Sequence, residues 1–309
     1  MDKDQKHFFR RDTGYIIRGL IWYSIVVSLV SEISVHLLQK GWTDKYTLAG
    51  AAGIISTLIG VSFLFIRNIL FDKQTDIFQK TGKGLRLNTF AKLFCLLLML
   101  QFLFSIAANL IEIILNSMGY TMENMISLAT REDDFNFAMI LYSGIIGPVV
   151  EELIYRGFIL RSLQKYGKVF ALVLSSILFG MAHMIPIQII FAIPAGMLFS
   201  YIAMEYSIKW AIFFHIANNL LLGDCFGWLL DQMPEPISSI VYLGVLAGAS
   251  VIAIFVLVKG YQKLKKWFAD HAPAKGSFRY VITLPSFLIL CSYNILITII
   301  MAAVSITSL

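Results

Sequence analysis

Apolar runs, each about as long as a bilayer is thick, follow one another along this chain, and that repetition limits its fold more than any other feature. Stretches with few charges cover residues 19–38, 47–66, 93–115, 136–155, 169–186, 187–206, 210–230, 237–258 and 281–305. A helix rises 1.5 Å per residue, so about 20 apolar residues cross a hydrocarbon core of about 30 Å. In lipid the backbone must satisfy its own hydrogen bonds, and the helix does this within a single segment. Nine spans use most of the 309 residues. The pattern therefore predicts an all-α, polytopic transmembrane helix bundle forming one membrane domain over 1–309, with no separate soluble domain. Composition agrees: 58% of residues are hydrophobic and 14% charged, where a soluble domain carries about 25% charged residues. Lys3, Lys6, Arg10 and Arg11 ahead of an apolar run resemble a signal peptide. That run continues to about Leu38 without a small-residue cleavage site, so it reads as an uncleaved first span.

The net charge of +6 acquires meaning from where the charges lie. If the spans alternate in direction, the N-terminus and segments 67–92, 156–168, 206–209 and 259–280 share one side. These hold 22 of the 25 Lys and Arg residues, leaving Lys40, Lys45 and Arg131 opposite. Cytoplasmic loops are the Lys/Arg-rich ones, so the N-terminus is expected in the cytoplasm and the C-terminus outside, in a multi-pass protein of a cell membrane. The acidic run Glu132, Asp133, Asp134 then falls outside, and Lys263, Lys265 and Lys266 fall inside, where they can also meet anionic lipid headgroups. Membrane lipid is the partner this distribution predicts, and nucleic acid is not. Cys95, Cys225 and Cys291 lie far apart in apolar surroundings, which offers neither a zinc ribbon nor a CxxC motif.

An ionisable group inside a spanning helix costs about 2.5–3.5 kcal/mol on insertion scales, so each one needs a reason. The densest set is Glu151, Glu152 and Arg156 in GPVVEELIYRGF, His183 in LFGMAHM, and His215, Asn218 and Asn219 in FFHIANN. Glu152 and Arg156 are four apart and predict an ion pair along one helix. Glu151 points about 100° away, which leaves one carboxylate over, suited to taking a proton from water. Asn219 follows His215 by four residues, so imidazole and carboxamide share a face and can both donate to a developing oxyanion. If the chain reverses near Tyr166 and Gly167, Glu151 and His183 lie at matching heights. His215 is then expected nearer the cytoplasmic face, unless the hairpin over 156–168 protrudes or the span carrying Pro194 is bent or tilted.

These residues form three motifs in order, EExxxR (Glu151, Glu152, Arg156), FxxxH (Phe179, His183) and HxxxN (His215, Asn219). The segment of about 140–225 resembles the CPBP family, the CAAX prenyl endopeptidases and bacteriocin-processing enzymes also called the Abi family. The resemblance implies an intramembrane endopeptidase with a catalytic core over about 136–230 and a cavity open toward the cytoplasm. In it Glu151 and His183 would activate water, and His215 and Asn219 would stabilise the oxyanion. Arg156 would brace Glu152 or position a substrate carboxylate, and Phe179 would pack against the imidazole of His183. The short interval between the second and third motifs looks like the compact bacterial branch, located in the plasma membrane, whose substrates are peptides or membrane proteins. The family has been read both as zinc-dependent and as glutamate-dependent. Without HExxH, zinc would need Glu151, His183 and His215 as scattered ligands, and the cofactor-free reading is favoured. Two other functions fit the same residues less well. A non-catalytic immunity, scaffold or regulatory protein of this fold has no need of the full acid, base and donor set. A proton-coupled transporter would favour inverted repeats, which the hydropathy pattern lacks.

Overall fold

The computed structural model describes residues 3–41, 44–71, 84–124 and 136–308. Arg131 and the acidic run Glu132, Asp133, Asp134 lie outside the described residues, as do residues 72–83 of the basic segment 67–92. The chain is an all-α bundle. Its helices are α1 (Lys3–Leu38), α2 (Lys45–Phe71), α3 (Leu87–Ser117), α4 (Phe137–Tyr166), α5 (Lys168–Met181), α6 (Pro186–Glu205), α7 (208–231), α8 (Ile237–Asp270), α9 (Ser277–Ile282) and α10 (Pro285–Ser305). Among the described residues, the one sheet-like contact is a two-residue antiparallel pairing of Tyr120–Thr121 with Thr307–Ser308.

Among the described residues, seven helices are long and apolar enough to cross a membrane: α1, α2, α3, α4, α6, α8 and α10. The other two expected spans take different forms. Helix α5 has 14 residues, about 21 Å of rise, and ends at Met181, whereas the apolar run continues to 186. Helix α7 passes from α-helix through a π-helical stretch, Ala217–Cys225, and back to α-helix. Helices α1, α4 and α8 outrun their apolar cores, because hydropathy marks lipid-facing length and not where the backbone stops being helical.

Contacts at the two ends of the bundle show which loops share a side. At one end, Asp12 of α1 accepts from Lys165 Nζ at 2.7 Å and from the Tyr166 hydroxyl at 2.8 Å. There too the Val169 N–H donates to the carbonyl of His271, and Glu205 accepts from Lys168 and from the Trp267 indole. The N-terminal part of α1, the α4–α5 turn, the α6–α7 turn and the end of α8 therefore lie together, as alternating spans require. At the other end, Asn136 Nδ2 donates to Asp44 at 3.0 Å and to Thr47 Oγ1 at 2.9 Å, joining the starts of α2 and α4.

The α4–α5 hairpin turns at Gly167, whose φ of 118° is open to glycine and strained for other residues. Helices α5 and α6 approach closely through small residues. A Cβ at Gly180 would collide with Ile193, and one at Gly196 would lie 3.0 Å from the Phe179 ring and 3.1 Å from Arg156 Nη2. Small residues are what let membrane helices come this near.

Candidate active site

The site is built on α4, α5, α6 and α7, and its floor is a buried ion pair. Glu152 and Arg156 are both 0% exposed. Arg156 Nη1 donates to Glu152 Oε1 at 2.8 Å, which realises the pairing expected from the four-residue spacing. Arg156 Nη2 donates to the carbonyl of Gly196 at 3.1 Å. The guanidinium also lies over the rings of Phe179, 4.3 Å from its centroid, and Phe199, at 5.5 Å, where the negative faces of the rings favour a cation.

Glu152 does more than hold Arg156. His215 Nδ1 lies 2.9 Å from the same Oε1. Because that oxygen already accepts from a guanidinium, the hydrogen of the contact belongs to Nδ1, and His215 donates it. The imidazole ring is fixed further by stacking on Phe199, with centroids 5.0 Å apart. Its second nitrogen, Nε2, faces the other glutamate, 3.6 Å from Glu151 Oε2. The Glu151 side chain is 36% exposed where that of Glu152 is 0%. Two adjacent residues of one type thus occupy opposite environments, one sealed beneath the histidine and one open above it.

His183 lies beyond the end of α5, in the turn to α6, and not within a helix as the apolar run predicts. The chain breaks there because Met184 takes a left-handed φ of 58°, a conformation that costs a non-glycine residue about 1–2 kcal/mol. His183 Nδ1 is 3.0 Å from the carbonyl of Phe179, so it donates, and Nε2 is the remaining ring nitrogen. Phe179 joins the two histidines: its ring meets that of His183 edge-on at 4.8 Å and that of His215 at 5.6 Å. Glu151 also interacts electrostatically with His183.

Asn219 is near these groups but already engaged. Its Nδ2 donates to the carbonyl of Ser143 at 3.0 Å, and its Oδ1 accepts from Asn218 Nδ2, also at 3.0 Å. Asn218 in turn accepts from Gln101 of α3 at 2.8 Å. The local backbone explains this arrangement. π-helical stretches cover Leu141–Ile146 and Leu153–Leu160, on either side of the two glutamates, and Ala217–Cys225, which contains both asparagines. Wider turns free carbonyls such as that of Ser143 from the regular pattern and turn side chains out of α-helical register. Such stretches recur at functional sites.

Among the described residues no three His, Cys, Asp or Glu side chains are grouped so as to hold a metal ion. Glu151, His183 and His215 share a site without forming a three-ligand shell, so they do not fit a zinc ion. Gly196 and Phe199, which complete the brace around Arg156 and His215, carry no motif; a glycine within an apolar helix is the one sequence signal they offer.

A carboxylate facing an anchored histidine, above a sealed carboxylate–guanidinium pair inside a membrane bundle, defines a class: membrane-embedded sites equipped for proton transfer. Residues 133–221 match the family described as Type II CAAX prenyl endopeptidase Rce1-like. This match agrees with the CPBP resemblance of the three motifs, all of which lie inside the matched segment. The family is one of intramembrane proteases. No curated protein and no solved structure matches the chain.

Proposed function

We propose that this chain is an intramembrane endopeptidase in which Glu151 activates water. The observation that carries the reading is the separation of the glutamate pair: Glu152 is consumed by Arg156 and His215, while Glu151 is open and faces His215 Nε2 at 3.6 Å. Water held by Glu151 and His183 attacks the scissile carbonyl as Glu151 takes its proton. The C–N bond then breaks, and that proton passes to the leaving amine. His215, oriented by Glu152 and donating through Nε2 in its doubly protonated form, and the second amide hydrogen of Asn219 serve the oxyanion side. Arg156, fully buried, acts as the brace of Glu152 and does not receive a substrate carboxylate. No metal or other cofactor takes part in this scheme.

The basic end of the bundle, holding the α4–α5 turn, faces the cytoplasm in this proposal, in a multi-pass protein of a cell membrane. The substrate is a membrane-associated peptide or protein. The matched family's name makes a C-terminal CAAX segment one chemistry to test, and the compact spacing of the motifs favours unmodified peptides of bacterial type. The test compares membrane and released peptides by mass spectrometry from cells carrying the wild-type chain or Glu151→Gln. Peptides with new termini that depend on Glu151 support the reading. Identical peptide sets overturn it.

A further inference from the structure

Gln101 interrupts an apolar stretch of α3, LLLMLQFLF, and lies outside the segment 133–221 that matches the family. A carboxamide inside a membrane span needs a hydrogen-bond partner. Among the described residues its side chain has one, found 117 positions later in the chain: Nε2 donates to Asn218 Oδ1 at 2.8 Å. Asn218, 8% exposed, passes the bond on, because its Nδ2 donates to Asn219 Oδ1 at 3.0 Å. Asn219 Nδ2 then donates to the carbonyl of Ser143 at 3.0 Å. Three carboxamides from α3 and α7 thus form one chain that ends on the backbone of α4.

The backbone end fixes the direction of this chain. In a regular α-helix the Ser143 carbonyl accepts from the N–H of residue 147. Here Gly147 donates to Tyr142 instead, and Pro148 has no N–H to offer. The Ser143 carbonyl, about two turns ahead of Glu151 on α4, is left as an acceptor that only the NH2 end of Asn219 can meet. That choice turns Asn219 Oδ1 to Asn218, so Asn218 must donate, and its own oxygen needs a donor in turn. Gln101 supplies it. Without that donor the Asn218 carboxamide is free to rotate, and Asn219 loses the group that holds its oxygen. An amide whose oxygen accepts is also a better donor at nitrogen, since hydrogen bonds in a chain polarise one another. Resting on the peptidase reading above, we propose that Gln101, through Asn218, positions the Asn219 carboxamide so that its second amide hydrogen meets the oxygen of the scissile carbonyl. As water adds to the carbonyl carbon, the π pair moves onto oxygen and Asn219 holds it there without giving up a proton. The pair returns when the C–N bond breaks. Gln101 and Asn218 are positioning residues and touch no reacting atom.

The test uses the full-length chain in detergent with two probes: a peptide released in a Glu151-dependent manner by cells, and a farnesylated reporter peptide ending in a CAAX tetrapeptide. Gln101→Met keeps the length of the side chain and removes the amide. It is expected to lower kcat about tenfold with KM within about twofold. Asn219→Ala, which removes the donor itself, should lower kcat about 10²- to 10³-fold. The decisive variant combines the two. If Gln101 acts through Asn219, Gln101→Met costs nothing further once Asn219 is replaced, so the double variant turns over at the rate of Asn219→Ala alone. Polar side chains between membrane helices also act as glue. A Gln101 with only that role would lower the thermal midpoint and leave kcat per folded molecule unchanged, or would lower kcat by the same factor in both backgrounds. Either result overturns the proposal. So does wild-type kcat in Asn219→Ala while Glu151→Gln is inactive, which leaves the peptidase reading standing. Should Gln101→Met not fold, Asn218→Ala breaks the same chain from α7 and is read in the same way. If the wild-type chain and Glu151→Gln are equally inert toward both probes, the peptidase reading fails and the role of Gln101 falls with it.

Discussion

Removing the charge of Glu152 tests how the buried brace is built. Oε1 of this fully buried carboxylate accepts from Arg156 at 2.8 Å and from His215 at 2.9 Å. Glu152→Gln keeps the shape and leaves a fully buried guanidinium supported by the Gly196 carbonyl and two aromatic rings. With charge centres about 4 Å apart and an effective dielectric near 20, the attraction lost is about 4 kcal/mol. Breaking buried pairs costs a similar amount, about 3–5 kcal/mol. The amide oxygen of Gln still accepts one hydrogen bond, which returns about 1 kcal/mol. The net loss is therefore about 3 kcal/mol, a large part of the 5–15 kcal/mol that typically separates folded from unfolded chains. Fluorescence-detected size-exclusion chromatography after graded heating should show a lower midpoint and a smaller folded fraction for Glu152→Gln. The double variant Glu152→Leu with Arg156→Met removes both charges and should regain much of the midpoint, while turnover stays low because His215 has lost its acceptor. A Glu152→Gln midpoint equal to wild type would refute the reasoning, as would a double variant less stable than the single one.

Three further outcomes follow from the packing, the sidedness and the donor set. Gly196→Ala introduces a Cβ at 3.0–3.1 Å from Phe179 and Arg156, so it should lower the thermal midpoint by the equivalent of about 1–3 kcal/mol and reduce turnover as well. Single cysteines in place of Lys265 and Glu235, at opposite ends of α8 and its preceding loop, should react with an impermeant thiol reagent from the cytoplasm and from outside respectively; both reacting from one face would break the alternating threading. Hydrolysis should persist after exhaustive chelation. Loss of activity that one divalent metal restores at stoichiometric amounts would instead make Glu151, His183 and His215 the ligands to test.

The parts of this structure legible in the sequence are those fixed over short distances. Apolar length gave the helices, the four-residue spacing gave the Glu152–Arg156 pair, and Tyr166–Gly167 gave the hairpin turn that a positive φ confirms. What the spacing did not reveal depends on how the helices pack. Glu152 and His215 are 63 residues apart, and nothing local distinguishes a glutamate that orients a histidine from one that only balances an arginine. His183 reads as helical because the apolar run continues past it, while the backbone leaves the helix at Met181 and turns through Met184. The four-residue spacing of His215 and Asn219 implies a shared face in a regular α-helix. The π-helical stretch from Ala217 to Cys225 changes that register and turns the carboxamide of Asn219 toward Ser143. Gly196 and Phe199 became visible only once α6 lay against α5 and α7.

The most direct measurement is turnover per folded molecule of purified Glu151→Gln beside the wild-type chain, on the peptide identified in cells. Glu151 is open to solvent, and Glu152 and Arg156 pair with each other beneath it, so the substitution is nearly isosteric and leaves the brace intact. The account predicts an unchanged thermal midpoint and a rate lower by about 10²- to 10⁴-fold, the loss expected when a general base is removed. A Glu151→Gln protein that turns over at the wild-type rate, while Glu152→Gln folds and is inactive, would contradict it.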